Sequence, residues 1–388
     1  MQKLGNPYMK YRVAHIAGTK GKGSVAAMLT SIAKAAGIKA GTYISPHLFD
    51  LRERILIDGE FVDDDKFAHA VDSVRKVMGE RPKEYATFFE VLTSVAFLLF
   101  ARENVELAVI EAGLGGQFDA TNIVEPEIVI LTKIALDHTD RLGETIGEIA
   151  SDKAHIIKPD CIAMIGVRKP EALEPISARI KRVAAKAFFV GSDFVCKVVE
   201  KDLTGTSVEI NLSNEKFPVK LPLIGSFQGD NAAIASQAAS ALGFDRKAIV
   251  EGLEDVKLSG RMELISTDPT VIVDGAHNPG AAQTTAREIA ELELAPAILM
   301  LGINRPKDFS RMLYHWAKVA KFFIFTQLDS PRTYDPKMLA RKAETSFGIR
   351  SLVIENPAKA LNEAKRLAGA NGTVFIAGSL YMLSSLDL

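Results

Sequence analysis

Cysteine is almost missing from this chain: Cys161 and Cys196 are the two among 388 residues. Two thiols cannot build a disulfide framework or a four-thiolate metal site. Each lies in an apolar run, so both are expected to be buried small hydrophobes. Long hydrophobic runs are missing too; none approaches the roughly 20 residues of a membrane-spanning helix. Met1 to Arg12 lacks the apolar core of a secretory signal. The default expectation is then a soluble, cytoplasmic protein with no membrane partner. An excess of either charge is likewise absent, since 47 Lys and Arg against 48 Asp and Glu leave a formal net charge of -1. Nothing then draws the chain as a whole to nucleic acid or an anionic surface, and any anionic ligand must be met by local cations. No solenoid repeat and no low-complexity segment is visible. The length predicts two or three domains.

What is present is concentrated in Val13–Ser24, Val-Ala-His-Ile-Ala-Gly-Thr-Lys-Gly-Lys-Gly-Ser. A short apolar strand runs into a loop with three glycines. After it, Val25 to Ala36 carries good helix formers at amphipathic spacing. Strand, glycine loop and helix turn backbone N–H groups and a helix N-terminus toward a phosphate. Lys22 would reach the terminal phosphates as a point charge, and Ser24 or Thr19 would offer a hydroxyl to magnesium. The spelling departs from the strict phosphate loop, because Gly23 separates Lys22 from Ser24 and the upstream spacing is shorter. Three glycines around two lysines make an empty surface turn the poorer reading, so a nucleotide site is expected.

Several later segments end apolar strands with polar residues, at the sheet edge where open α/β folds bind ligands. Residues 38–44 lead into Ser45-Pro46-His47, with Arg52 and Arg54 following. Ser45 is a candidate metal ligand and either arginine a clamp for phosphate or carboxylate; a solvated loop is the competing reading. Leu107–Gly113 is a buried strand closing on Glu111, which suits a magnesium-side carboxylate or a helix cap. Ile128–Thr132 leads to Asp137-His138-Thr139-Asp140, where His138 reads equally as structural or as a metal ligand. Residues 63–78 and 87–101 read as helices; Glu90 suits the second helix's first turn, and Phe88 and Phe89 read as core. Ser151–Ala154 is expected to start a short segment. Alternation from Val195 to Leu223 predicts a hairpin-rich edge. Beyond Leu258, strands near 271–273, 297–301, 322–326, 352–354 and 373–377 alternate with helices, the pattern of a second doubly wound sheet. The expected fold is α/β, with a mostly parallel N-terminal phosphate-loop domain over 1–257 and a smaller Rossmann-like domain over 258–388.

Eight pieces then fall in one order: Gly18–Ser24; Ser45–Leu48 with Glu53–Ile55; Glu111–Gly116; Asp119–Asn122; Asp137–Thr139; Gln228 with Asn231–Ala233; Gly260-Arg261; and Asp274–Pro279. Together they resemble folylpolyglutamate synthase and its dihydrofolate synthase relatives, a branch of the Mur ligase superfamily. The resemblance runs from about residue 4 to Gly378–Tyr381. It implies an ATP- and magnesium-dependent ligase that joins L-glutamate to a reduced folate, to dihydropteroate, or to both, through an acyl phosphate. By position, Gly18, Thr19, Gly21, Lys22, Gly23 and Ser24 hold the phosphates, while Ser45, Glu111 and His138 hold magnesium, with two ions expected. Asn231, Arg261 and Asp274 hold the nucleotide from the far side of a cleft, which predicts a site assembled by domain closure. His277 and Ser379 fall near glutamate, and Thr87, Phe88, Phe89 and Glu90 near the pterin, with Arg54 and Asp119 also assigned to substrate. Lys153 aligns with a lysine that the family carries as a carbamate; a helix-surface lysine is the alternative. Lys22, Lys153 and His277 are the expected catalytic residues, and a monomer is the family expectation.

Lys20 stands where asparagine is usual, Gln117 where arginine is, and His155 where glycine is, and residues 304–308 differ in their middle. These departures bear on the acceptor rather than on ATP. A Mur-type ligase for another carboxylate and a non-catalytic nucleotide-binding regulator are the alternatives. The Ser45–Ile55 and Gly113–Asn122 stretches, with a phosphate loop inside the first 20 residues and hence no N-terminal UDP-sugar domain expected, argue against the first. The retained Ser45, Glu111 and His138 argue against the second.

Overall fold

Strand β1, Arg12–Ala17, buries every residue after Arg12, as a strand does at the centre of a sheet covered on both faces. The computed structural model describes residues 1–79, 86–212, 215–383 and 385–386. They form two compact units: Met1–Glu200 with Ser207–Pro222 and Phe227–Lys257, and Lys201–Thr206 with Leu223–Ser226 and Leu258–Leu388.

In the first unit β1 is joined by β2 (Ala40–Tyr43), β3 (Ile55–Ile57), β4 (Glu60–Phe61), β5 (Leu107–Glu111), β6 (Ile128–Leu131), β7 (Ile162–Ile165) and β8 (Lys186–Phe189) in the order β4-β3-β2-β5-β1-β6-β7-β8. The six strands from β2 to β8 in that order are parallel, and β3 and β4 extend the edge antiparallel. Ala14 lies opposite Val109 on one side and Ile128 on the other. The chain leaves β1 for β2 on the β5 side and leaves β5 for β6 on the other side of β1. The strand order reverses there, and open α/β sheets bind ligands at the carboxyl ends of the strands flanking such a reversal.

Helix α1 (Lys22–Ala35) buries Val25, Met28, Leu29 and Ile32 on one stripe, the spacing that puts a helix face on a sheet. Helix α2 (Asp64–Met78) starts at Asp63, whose side chain accepts from the amides of Asp65 and Lys66. Helix α3 (Phe88–Arg102) starts at a Thr87/Glu90 capping box. Phe97 and Phe100 of α3 are fully buried with Val13, Tyr43 and Ile110 in one apolar cluster. A second cluster holds Ala17, Val129 and Ala163 with Ile149 and Ile176. Burial of each of the valine, isoleucine and phenylalanine side chains among them contributes about 1.5–3 kcal/mol.

After the short α4 (Thr139–Leu142) comes α5 (Ile146–Ala154). Ser151–Ala154 is thus the last turn of a helix and not the start of a segment. The overlooked signal is a Thr145/Glu148 capping box, in which Thr145 accepts from the Glu148 amide and Glu148 from the Thr145 amide. Helix α6 (Pro170–Val183) follows, and β9 (Phe194–Asp202), β10 (Gly205–Leu212) and β11 (Glu215–Leu221) form a three-stranded sheet. Cys161 is buried as expected, but Cys196 on β9 is only half-buried. Helices α7 (Phe227–Ala241) and α8 (Arg246–Glu254) close this unit.

The second unit carries β12 (Glu263–Thr267), β13 (Thr270–Val273), β14 (Ala297–Leu301), β15 (Ala320–Phe325), β16 (Ser351–Val353) and β17 (Thr373–Ala377), ordered β12-β13-β17-β14-β15-β16. All neighbours are parallel except β12 and β13. Helices α9 (Pro279–Glu291), α10 (Phe309–Trp316), α11 (Pro336–Phe347) and α12 (Pro357–Ala368) alternate with these strands. The fully buried Glu288 of α9 accepts from Lys201 Nζ at 2.6 Å and from the Ser226 amide at 3.2 Å. This network accounts for the grouping of 201–206 and 223–226 with the second unit. Among the described residues no helix is long and apolar enough to cross a membrane.

Candidate active site

The loop between β1 and α1 is fixed by the strand beside it. The Thr19 and Lys20 amides donate to Lys133 O at 2.9 and 3.2 Å. The Thr19 hydroxyl donates to Ala135 O at 3.0 Å and accepts from the Ala135 amide at 3.1 Å, so it serves the loop. Ser24 lies buried in the first turn of α1. Gly21 has φ 91, in the left-handed region, and a Cβ there would overlap Asn231 Oδ1. Asn231 is itself held by Gln228, whose Oε1 accepts from Asn231 Nδ2 at 2.9 Å.

At the carboxyl end of β5 the Glu111 carboxylate is buried, with 4% of the residue exposed. Lys22 Nζ stands 3.4 Å from its Oε1, and the Ser45 amide donates to its Oε2 at 3.4 Å. Lys153, in the last turn of α5, is 5% exposed, which overturns the helix-surface alternative. Burial, and then the charge of Lys22, push its ammonium down to about 8, against the opposing pull of Asp152, Asp137 and Asp119. His138 caps α4 in the left-handed conformation, its Nε2 3.9 Å from Asp137 Oδ1. Among the described residues no group of three His, Cys, Asp or Glu converges as a metal site. A buried carboxylate at the strand end, beside Ser45, nonetheless fits a hard divalent cation whose other ligands come from phosphate oxygens.

The segment at the start of α3 is divided. Glu90 accepts from the Thr87 amide at 2.7 Å and its hydroxyl at 2.8 Å, bonds that lower its pKa. Thr87 and Glu90 are thereby committed to the cap. Phe88 is 60% exposed, against the expectation of a core position, and the Arg54 guanidinium lies 5.8 Å from its ring centroid. Arg54 Nε donates to His47 Nδ1 at 2.9 Å, whereas Arg52 is engaged by Asp50 and Asp64. Phe89 stacks on Tyr43 at 5.7 Å and covers Gly113 so closely that no side chain fits there. Asp119 caps its own turn and binds the neighbouring loop: Oδ1 accepts from the Thr121 amide at 3.0 Å and Oδ2 from the Leu114 amide at 2.9 Å.

In the second unit, the loop after β13 carries Asp274, which accepts from the Met262 and Ala276 amides at 2.9 and 2.7 Å. His277 Nδ1 lies 2.8 Å from Gly275 O, so that nitrogen carries the proton. The Gly378 amide donates to Ala276 O at 2.8 Å and the Gly275 amide to Gly260 O at 2.9 Å. These bonds join the segments of Arg261, Asp274, His277 and Ser379 into one loop cluster. Ser379 is 5% exposed and accepts from the Tyr381 amide at 3.2 Å. Within the first unit, Lys22, Ser45 and Glu111 come together at one strand end, with Asn231 against the loop. Sequence alone assigns no role to His15 or Lys158, and to Thr121 only a place in the Asp119–Asn122 turn, although a histidine inside an apolar strand and the spacing Asp119-x-Thr121 are legible signals.

A phosphate loop at the centre of a parallel sheet, its lysine over a buried carboxylate, defines a nucleotide-dependent phosphoryl-transfer protein. The Mur ligase middle domain matches residues 16–239, and the Mur ligase glutamate ligase domain residues 260–380. The chain is 32% identical to the dihydrofolate synthase/folylpolyglutamate synthase of Bacillus subtilis, over 100% of this chain and 92% of that one. It is also 32% identical to a probable bifunctional folylpolyglutamate synthase/dihydropteroate synthase of Halobacterium salinarum, covering 99% of this chain but spanning about half, 48%, of that relative. Folylpolyglutamate synthase of Mycobacterium tuberculosis, solved with ADP and AMPPCP, superposes with a TM-score of 0.93 at 31% identity, over 99% of this chain and 92% of that one. The chain belongs to the Mur ligase family, in its folylpolyglutamate synthase and dihydrofolate synthase branch.

Proposed function

We propose that this protein is an ATP- and magnesium-dependent ligase that adds L-glutamate to a folate: tetrahydrofolate or its polyglutamates, dihydropteroate, or both. The observation that carries the reading is Lys22 at the head of the phosphate loop, held over the buried Glu111 carboxylate. A carboxylate oxygen of the folate attacks the γ-phosphorus of ATP, the bond to ADP breaks, and an acyl phosphate forms. The amino nitrogen of glutamate then attacks the acyl carbon, phosphate leaves, and the nitrogen loses its proton as the amide forms. Catalysis of this kind rests on positioning and charge neutralisation.

In this reading Gly18, Gly21, Lys22 and Gly23 cradle the phosphates, and Asn231, Arg261 and Asp274 hold the nucleotide. Ser45, Glu111 and His138, with Ser24, would hold two magnesium ions, whose chemistry is to neutralise charge on the phosphate oxygens. Lys153 would carry a carbamate; a buried amine lowered to about 8 supports this, because carbon dioxide adds to the neutral amine. His277 and Ser379 take glutamate, and Phe88, Phe89 and Arg54 the folate. The protein acts as a monomer in the cytoplasm.

The test is ATP-dependent product formation followed by mass, with L-glutamate and magnesium, offering dihydropteroate, tetrahydrofolate and a UDP-linked cell-wall peptide precursor separately. A glutamate-sized gain on either pterin supports the reading and separates its two forms. Gain on the cell-wall precursor alone, or on none, refutes it.

A further inference from the structure

Beneath the loop that follows Glu111 runs a chain of hydrogen bonds in which the ligase reading assigns a role to Asp119 alone. His15, on β1, and Thr121 are both fully buried. His15 Nε2 lies 2.8 Å from Thr121 Oγ1, and Thr121 Oγ1 donates to Asp119 Oδ1 at 2.5 Å. Thr121 has one hydroxyl proton and gives it to Asp119, so the proton between His15 and Thr121 must belong to His15 Nε2. His15 Nδ1 then carries only a lone pair, consistent with its being buried with no partner. Asp119 Oδ2 ends the chain on the Leu114 amide at 2.9 Å. From the other side, Lys158 Nζ donates to Asn122 O and Val124 O at 2.7 and 2.6 Å, pinning the end of the same turn.

We propose that His15 is a positioning residue which, through Thr121 and Asp119, sets the Gly113–Gly116 loop and with it the seat of the Phe89 ring. The inference rests on the ligase reading for its kinetic consequence only. Glu111 is fixed independently, paired with Ile16 in the sheet register, so its hold on Lys22 does not depend on the relay. Gly113, by contrast, is the floor on which Phe89 lies. Loosening the relay therefore weakens the folate side and spares the nucleotide side.

The experiment uses the full chain and the variants Thr121→Val, Thr121→Ser and His15→Leu. Thr121→Val keeps the shape and removes the hydroxyl. It should raise KM for the pterin substrate about tenfold, with KM for ATP and kcat within about twofold, and Thr121→Ser should restore the wild-type value. His15→Leu should match Thr121→Val, and the double variant should be no worse than either, because all three cut one chain. Hydrogen exchange at the Leu114 amide is read in parallel and needs no turnover. It should quicken about tenfold in Thr121→Val and recover in Thr121→Ser. Unchanged Leu114 exchange overturns the inference even if the enzyme is fully active, as do parallel rises in both KM values without rescue by serine. A wild-type protein that modifies no pterin refutes the ligase reading instead, and the Leu114 measurement then decides the relay alone. Should His15→Leu not fold, the two Thr121 variants carry the test.

Discussion

Lys22 Nζ lies 3.4 Å from Glu111 Oε1, although the two residues stand far apart in the chain. They meet because β1 and β5 are parallel neighbours, so the loop leaving one and the carboxylate closing the other share a sheet edge. Lys22→Ala should reduce turnover by about a thousandfold or more, the scale of losing a phosphate-positioning charge. It should also weaken binding of a fluorescent ATP analogue. Glu111→Ala should abolish turnover with nucleotide binding partly retained. Steady-state rates near wild type in either folded variant would remove the site as drawn.

Gly21→Ala should damage both stability and nucleotide binding. Its left-handed φ and the overlap with Asn231 cost about 1–3 kcal/mol. Thermal unfolding would register the loss. Adding Asn231→Ala should return the part due to overlap and leave the part due to φ, so a full recovery would show that the backbone is not strained.

Acid should destabilise the fold through His15. Burial, and then the charge of Lys158, hold it down to about 3, whereas an unfolded histidine titrates near 6.5. Between those values the unfolded chain binds the extra proton, so stability from this group is complete above about 6.5 and falls as pH drops. The slope is about 1.4 kcal/mol per pH unit. Urea unfolding at pH 7 and pH 5 should show a loss on the order of 2 kcal/mol in the wild type that is absent from His15→Gln.

His277→Ala should raise the glutamate concentration needed for half-maximal rate while leaving ATP binding intact. An unchanged glutamate requirement in a folded variant sinks that assignment.

Activity should depend on carbon dioxide if Lys153 is a carbamate. Stripping dissolved carbon dioxide should lower the rate and bicarbonate should restore it, more readily as pH rises through about 8 and the neutral amine accumulates. Lys153→Ala should be inactive and unresponsive to bicarbonate. Full activity without carbon dioxide would leave Lys153 a plain buried amine.

The sequence by itself determined what local chemistry decides. Glycines around Lys22 between an apolar strand and a helix-forming run specify a phosphate loop, because few other residues tolerate its backbone. The alternation beyond Leu258 specified a second parallel sheet, since each period of apolar residues selects its own element. Glu90, an acid suited to a helix's first turn, likewise marked the start of α3. Tertiary structure alone decided which side chains remain available for chemistry. Apart from its place in the family pattern, Lys153 reads in sequence like a helix-surface lysine, and only the packing of α5 buries it. Arg52 and Arg54 look equivalent in sequence, yet Asp50 and Asp64 engage the first while the second reaches the exposed Phe88. His15 reads as a histidine in a core strand, and only its meeting with Thr121 gives its proton a direction. Such roles depend on partners distant in sequence, and a one-dimensional pattern records periodicity and local propensity, not which distant groups are brought within hydrogen-bond reach.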